Sequence, residues 1–406
     1  RLPLHYALVC TGVHIYSKTK WDSLLNLSHQ LFNTFIAILV FIFTTGFIIV
    51  RTDDVFVWIE GFCIWITGVI IHITTGVALV FRKEFRQFVE EMALIDAMRK
   101  MPFIHHTLNN QYEEGKLKEL KELVLGSQEK LLRYTNLLLK CYTTSVLSTG
   151  VLYITDAIYQ MIVREDESLR LLGFEMWFPW KLDDFNVYIG TFIFHVYAGF
   201  FCAMGYPALQ STIVLLMGQI IRQLRILTYI LENLDELVVE MCHKRDIKWQ
   251  QYCTAVLSQS IDHYVMIKKF GNRLNRICRT FYLVLILDAM MLVCVCSVKI
   301  AISNKLSHDL IKYYMHEFFF TLMVFLFCFL GQQVQNECEK LENAVIEKWY
   351  IFDKKHRDNI KIFHVAVGQK MPILIFGSIP LSLPTFTWFI KTGMSFFTLA
   401  MSVLEE

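Results

Sequence analysis

Long apolar stretches separated by charged connections are the dominant pattern along the chain. Seven of them are long enough to cross a bilayer as helices, since a helix rises about 1.5 Å per residue. The fourth exceeds a single span and must tilt or continue beyond the membrane. The pattern predicts an all-α membrane protein with seven transmembrane helices. The seven segments are residues 31–50, 55–81, 134–163, 185–221, 281–298, 313–330 and 371–404.

Basic residues are concentrated in alternate connections. The N-terminal tail and the second, fourth and sixth connections hold 30 of the 39 Lys and Arg residues, and such residues are typical of cytoplasmic loops. This predicts a cytoplasmic N-terminus and an extracellular C-terminus. Helical spacing of apolar residues continues past the membrane segments, most clearly in residues 220–241. We therefore expect the inner ends of segments four, five and six to form a helical cytoplasmic anchor bundle, with separate surface helices as the alternative.

The last apolar segment differs from the others because polar residues recur along one side of it. Their spacing of three or four residues places them on one face of a helix. Lipid cannot satisfy such a stripe, so it faces water or other protein. Our hypothesis is that the stripe lines a pore. It consists of Thr387, Lys391, Ser395, Thr398 and Ser402.

Composition supports the membrane class and excludes several others. The chain is 55% hydrophobic, with a mean hydropathy of +0.42. A net charge of +2 provides no basic field for nucleic acid, so no such partner is expected. None of the eleven cysteines lies in a predicted outer loop, which argues against extracellular disulfides. The HExxH, GxSxG and P-loop patterns are absent, so we expect no enzyme activity, metal or cofactor.

Ionisable and aromatic side chains in the outer halves of the segments are candidates for a ligand pocket. Ionisable residues inside a membrane mark functional sites or polar contacts between helices. Of these residues, Asp156 and Glu317 lie in outer halves and could border a pocket; the others are Glu60, Lys140, Asp288 and Lys391. Aromatic residues are dense in the outer halves of segments two, three, four and six, which suits a small apolar ligand. Ordinary packing or an interface belt explains any single one of them equally well.

The C-terminal region contains a series of short motifs at residues 369–372, 380–382, 385–386, 391–392 and 395–399. In these motifs the chain resembles the insect odorant receptor family. The motifs look like the family's proline–leucine–serine turn followed by a helix with a serine–aromatic pair. The Orco co-receptor has a threonine–tyrosine pair and a glutamine where this chain has Ser395 with Phe396, and Ser402. The chain therefore resembles an odorant-specific subunit, which in the family assembles with Orco in a heterotetramer.

The resemblance implies a ligand-gated, non-selective cation channel with four subunits around one pore, in the plasma membrane of a sensory dendrite and in contact with lipid. Residues 1–330 would form the ligand-binding helical domain, 331–370 the cytoplasmic anchor and 371–406 the pore-lining segment. Lys391, Ser395, Thr398 and Ser402 would line the pore. A small volatile odorant would bind in the outer leaflet between segments two, three, four and six, near Trp65, Gly150, Tyr153, Ile154, Tyr188, Phe192, His195, Tyr314 and Phe318.

The alternative from another class is a G-protein-coupled chemoreceptor, which also has seven spans. That class requires an extracellular N-terminus, and the chain lacks its DRY and NPxxY patterns. A transporter is less favoured, because Pro207 in the fourth segment and Pro380 and Pro384 in the seventh are not related by a repeat.

Overall fold

The computed structural model describes residues 20–52, 55–94, 96–163, 170–242, 248–302 and 308–405; the predicted N-terminal tail, residues 1–19, lies outside them. The described residues form helices joined by short turns, with one two-stranded antiparallel ribbon, β1 (Leu374–Ile375) and β2 (Ile379–Pro380). A π-helical turn (Val89–Leu94) and two 3-10 turns (Ala97–Lys100 and Trp349–Ile351) complete the connections. The helices are α1 (Lys20–Val50), α2 (Val55–Val80), α3 (Arg82–Phe88), α4 (Pro102–Asn109), α5 (Lys116–Val163), α6 (Phe185–Glu232), α7 (Leu234–Cys242), α8 (Trp249–Ile302), α9 (His308–Glu347), α10 (Lys354–Gly368) and α11 (Leu383–Glu405).

Six of these helices are long and apolar enough to cross a membrane, namely α1, α2, α5, α6, α8 and α9. They correspond to the first six predicted segments. The seventh is α11, whose 23 residues are sufficient for a span. Its polar stripe interrupts the apolar sequence, so it is not among these six. The described part of the chain is thus all-α apart from the short ribbon, as predicted.

Four helices extend well beyond the membrane. α5 and α6 have 48 residues each, α8 has 54 and α9 has 40. These lengths correspond to roughly 60–80 Å, about twice the hydrocarbon thickness of a bilayer. The excess lies at the predicted cytoplasmic end, where α10 packs against α8 and α9. Tyr264 of α8 and Phe363 of α10 meet there with ring centroids 5.6 Å apart. The predicted anchor bundle is confirmed, and α5 also contributes to it.

The inner half of α6 is the central helix of this bundle. Nearly every side chain from 203 to 231 is buried, including polar ones, and Pro207 lies inside the helix without ending it. Buried polar groups require partners. Arg222 donates to Asp96, which lies in the connection after α3, and its Nε donates to Gln219 Oε1 at 3.0 Å. Both charged side chains are about 5% exposed or less, so this pair fixes the connection against α6.

Residues 371–382 form the ribbon rather than the helix that the apolar pattern predicted from residue 371. Pro372 and Pro380 lack the N–H that a helix interior needs. Phe376 and Gly377 have φ angles of +49° and +80°, the left-handed pair of a type I′ hairpin turn. The extension of the seventh helix upstream of Leu383 is therefore wrong. The prolines and the turn residues therefore determine the local structure, although the surrounding residues are hydrophobic.

The ribbon is held between α8 and α9. Asn275 of α8 donates from its amide to Pro372 O at 2.8 Å and accepts from Leu374 N at 3.1 Å. On the other side, α9 approaches so closely that a Cβ on Gly331 would lie 2.1 Å from the Leu381 carbonyl oxygen. α11 thus starts from a rigid junction with both long helices.

Candidate functional site

A cavity of about 100 Å³ lies in the outer half of the bundle, the half that carries the α5–α6 connection. Its walls come mainly from α2, α5, α6 and α9. An engineered apolar cavity of the same order, about 150 Å³, accommodates benzene. The lining is largely apolar, and none of the described lining residues is Asp, Glu, Lys or Arg. Its polar members are Thr67, Tyr142, Ser145, Thr149, Tyr153, Tyr206 and His316.

Small residues create the space between the helices. Gly68 of α2, Gly150 of α5 and Gly199 of α6 all line the cavity. A Cβ on Gly150 would meet no described atom within 4 Å, so the space above this residue is open. A Cβ on Gly199 would lie 3.2 Å from the Phe174 ring, so this glycine lets the ring close on α6.

The α5–α6 connection closes the outer side of the cavity. Phe174 and Met176 line it directly. The connection is fixed to α1 by a bond from Trp177 N to Phe43 O (3.0 Å), and to α6 by a bond from Trp180 Nε1 to Thr191 Oγ1 (3.0 Å). These two bonds make the connection a packed cover over the site.

One carboxyl group of this cover sits in an apolar environment. Burial raises the pKa of Glu175, and the nearby Glu60 carboxylate raises it further. The nearby Lys312 and Arg51 act in the opposite direction and lower the pKa of Glu175.

Four predicted ligand-binding residues lie at or next to the cavity. Gly150 and Tyr153 line it. His195 is fully buried behind the cover, 5.8 Å from Phe174 and 5.5 Å from Phe178 between ring centroids. Neither of its ring nitrogens has a hydrogen-bond partner among the described residues. Ile154 contacts the cover at Gly173, whose Cβ would lie 3.0 Å from the Ile154 side chain.

The other five predicted residues lie elsewhere in the outer half. Trp65 donates to Thr45 Oγ1 at 2.9 Å, which places its indole between α2 and α1. Tyr188 donates to Leu171 O at 3.0 Å and lies 6.1 Å from Phe192, ring to ring, on the α6 side of the connection. The remaining two, Tyr314 and Phe318, are 47% and 60% exposed on the surface of α9.

Several lining residues were not predicted from the sequence. Phe174 and Met176 fall in a connection that was treated as an outer loop, although the stretch 171–180 is rich in apolar and aromatic residues. That apolar run indicated that the connection packs against the helices, since a loop surrounded by water is not usually rich in apolar residues. Tyr142 and Tyr206 lie deeper in their helices than the outer-half residues that were considered.

Ion pairs between helices surround the outer end of the cavity. Lys312 of α9 lies 3.7 Å from Asp156 of α5, and its Nζ is 4.8 Å from the Tyr153 ring centroid. Lys299 of α8 lies 2.8 Å from Glu60 of α2. From the sequence, these two carboxylates could be functional groups or polar contacts between helices. In the structure they form ion pairs that connect the helices around the site.

Two further carboxyl groups lie within the spans. Glu317 of α9 accepts a hydrogen bond from Ser297 of α8 at 3.1 Å. Asp288 of α8 is 5% exposed, and its Oδ2 has no partner among the described residues.

α11 has two faces of different character. Its apolar face packs on α8 and α9: Phe389 is 1% exposed, and Phe386 meets Phe325 of α9 with ring centroids 5.2 Å apart. The opposite face is exposed along its whole polar stripe. The stripe hydroxyls donate to backbone carbonyls three or four residues earlier, at 2.8–3.2 Å. The exposed polar residues are Thr387, Lys391, Ser395, Thr398 and Ser402.

Comparison with known proteins identifies the fold and the family. The family model described as 7tm Odorant receptor matches residues 57–394, most of the chain. The chain belongs to the odorant receptor family. The family resemblance is therefore confirmed, and the match runs from α2 into the first half of α11. A search of curated proteins finds no match to this member of the family.

Two solved structures share the fold of this odorant receptor. They are the insect olfactory receptor OR5 from Machilis hrabei in complex with eugenol (TM-score 0.77, 12% identity) and the same receptor described without it (TM-score 0.74, 11% identity). Each comparison covers 98% of this chain and 97% of the other. The predicted architecture of seven transmembrane helices is confirmed by this agreement.

Proposed function

We propose that the chain is the odorant-binding subunit of a non-selective cation channel in the plasma membrane. A small volatile molecule binds in the cavity and favours the open state of a pore lined by the stripe of α11. The exposed stripe is the observation that supports this most. A row of polar groups on a membrane helix needs water or protein opposite it, and no other described helix of this chain covers it.

α9 provides a direct physical connection between the two sites. Phe319 and Phe320 line the cavity. About one turn further along, Phe325 packs on Phe386 of α11. At Gly331 the same helix contacts the ribbon that leads into α11. A ligand that binds better to one position of α9 therefore biases the position of α11 as well.

The stripe of one chain covers only one side of a conduit, so the pore requires other subunits. We propose that Orco subunits supply them in a heterotetramer, since the residues at 395, 396 and 402 depart from the Orco pattern. In this arrangement residues 331–370 lie in the anchor region where subunits meet. Currents recorded from this chain alone, and then with Orco, against an odorant panel test the pairing.

Two substitutions separate the binding site from the pore. Thr398→Val should change the reversal potential under bi-ionic conditions and leave the rank order of odorants unchanged. Gly150→Val should fill the open space in the cavity and raise odorant EC50 values without changing permeation. Gly190→Val is the matched control, because a Cβ there also meets no described atom within 4 Å but Gly190 does not line the cavity.

The opposite pattern would contradict the proposal. If Thr398→Val alters only the odorant rank order, α11 does not line the pore. If Gly150→Val leaves every response unchanged, the cavity is not the binding site. Epitope tags on both ends of the chain in intact cells test the alternative of a G-protein-coupled receptor, which requires the N-terminus outside.

A further inference from the structure

The two ends of the cavity differ in chemistry. α5 runs outward while α6 runs inward, so Tyr142 and Ser145 on α5 and Tyr206 on α6 all lie at the inner end. The ring centroids of the two tyrosines are 5.8 Å apart. The outer end is closed by Phe174 and Met176. A molecule in the cavity thus meets three hydroxyl groups at the inner end, and at the outer end apolar side chains together with the Tyr153 phenol, whose ring lies 5.6 Å from that of Phe174.

The hydroxyl groups at the inner end lack well-formed hydrogen bonds. Tyr142, Ser145 and Tyr206 are 2%, 7% and 5% exposed. None of their side-chain oxygens makes a well-formed hydrogen bond to a described residue, although the two phenol groups interact with each other and Tyr206 also interacts with Gln210. Two other hydroxyls of the lining are satisfied, since Thr149 donates to Ser145 O at 3.0 Å and Thr67 donates to Cys63 O at 3.2 Å. The Tyr153 phenol, nearer the outer end, lacks a partner among the described residues as the three inner hydroxyls do.

Buried polar groups in folded proteins are almost always hydrogen-bonded, and leaving them unpaired is costly. Three such oxygens at one end of a cavity indicate that its occupant supplies the missing partner. A hydroxyl can both donate and accept, so the complementary group is an alcohol or a carbonyl oxygen.

The charge of the occupant follows from the rest of the lining. None of the described lining residues carries a carboxylate, an ammonium or a guanidinium group. The one imidazole, that of His316, lies 3.4 Å from the Thr67 hydroxyl. A charged ligand would lose its hydration without a counter-charge, whereas a neutral one loses much less.

We propose that the cavity selects a neutral, mostly apolar molecule with one hydroxyl or carbonyl oxygen, which binds between Tyr142, Ser145 and Tyr206. The carbon skeleton lies toward Phe174 and Met176. This inference rests on the proposed odorant-binding function and specifies the chemical class of the ligand.

Matched probes test it on the full chain expressed with Orco. One set is hexane, hexan-1-ol, hexan-2-one and hexanoate; the other is ethylbenzene, 1-phenylethanol and acetophenone. We expect the alcohol or ketone of at least one set to have an EC50 about tenfold below that of its hydrocarbon, the effect of one or two hydrogen bonds. Hexanoate should be inactive.

Removing the hydroxyls should abolish this preference. Tyr142→Phe, Ser145→Ala and Tyr206→Phe should each raise the EC50 of the oxygenated probes about 3- to 10-fold and leave the hydrocarbons unchanged. Tyr313→Phe is the matched control, because its buried phenol also lacks a partner among the described residues but does not line the cavity. Surface labelling checks expression, and ligand-dependent shifts in the Tm of the purified complex measure binding without gating.

Each other result overturns the inference in a distinguishable way. Hydrocarbons and alcohols could be equally potent, with no effect of the hydroxyl substitutions but a loss of response in Gly150→Val. That result refutes the ligand class and leaves the proposed function intact. A response to hexanoate that exceeds the response to every other probe also refutes the ligand class and leaves the proposed function intact. Unchanged responses in Gly150→Val refute the cavity and the inference together. The inference is also refuted if none of the seven probes produces a current or a shift in Tm.

Discussion

The contact at Gly331 leaves no room for a side chain, which makes Gly331→Ala a sharp test of how α9 is joined to α11. A Cβ there would lie 2.1 Å from the Leu381 carbonyl oxygen, whereas ordinary contacts begin near 3.4 Å. The two segments would have to separate by more than 1 Å. Leu381 is 1% exposed and its N–H bonds to Ile373 O at 2.8 Å, so the ribbon cannot easily yield.

The magnitude follows from two opposing effects. Overpacking of a well-packed contact costs about 1–3 kcal/mol, and a clash with backbone lies toward the upper end. Alanine in place of glycine inside a helix stabilises by about 0.5–1 kcal/mol. We expect a net loss of about 2 kcal/mol for Gly331→Ala, or a Tm lower by roughly 2–3 °C for a chain of 406 residues. Gly126→Ala in α5, where a Cβ meets no described atom within 4 Å, should instead raise the Tm slightly.

Thermal unfolding of the detergent-solubilised protein, followed by fluorescence-detected chromatography, measures both variants. The same variants are then recorded with Orco. Gly331→Ala should change the maximal or basal current while preserving the rank order of odorants, because the perturbed contact lies between the cavity and α11. A Tm for Gly331→Ala equal to that of Gly126→Ala would refute the close approach. A changed rank order with normal currents would refute the coupling.

Three further predictions concern other parts of the molecule. Asp96→Asn should cost about 3–5 kcal/mol, since it leaves the buried Arg222 charge unpaired, and Arg222→Met should cost less, since Arg99 remains 3.8 Å from Asp96; the double variant should recover part of the Tm loss of Asp96→Asn. Desolvation lowers the pKa of His263 and of His356 to about 4, so the unfolded state binds more protons below pH 6.5; stability should fall from pH 6.5 toward pH 4, less steeply in His356→Leu. Phe174→Ala should enlarge the cavity and lower the EC50 of bulkier odorants relative to small ones, without changing the reversal potential.

Much of the fold could be predicted from the sequence, because the length and polarity of membrane helices are directly visible in it. The first six spans, the overlong helices and the exposed stripe of α11 follow from apolar length and a period of 3.6 residues. The ribbon before α11 was not predicted, since hydropathy averages over its turn residues. Phe376 and Gly377 were the local signal for that turn.

The candidate site was harder to predict from the sequence than the fold. Periodicity assigns a residue to a face of its helix but does not say which neighbour that face meets. Trp65 illustrates this, because its indole bonds to α1 and not toward the cavity. Phe174 and Met176 depend on a connection that folds back over the bundle, a long-range packing event with no periodic signature. Gly150 and Tyr153 could be predicted because a small residue and an aromatic one lie one turn apart on the same helix.

The hydroxyls of the α11 stripe donate within their own helix, and this has a consequence for assembly. Thr387, Ser395, Thr398 and Ser402 keep these bonds whatever surface stands opposite them. These four hydroxyls therefore make no specific demand on their neighbour, whereas the exposed charge of Lys391 still needs water or protein opposite it. α11 can turn or shift against a different subunit without breaking a hydrogen bond of its own. In the proposed channel these hydroxyls would fit more than one partner subunit, and the choice of partner would depend on contacts made elsewhere in the molecule.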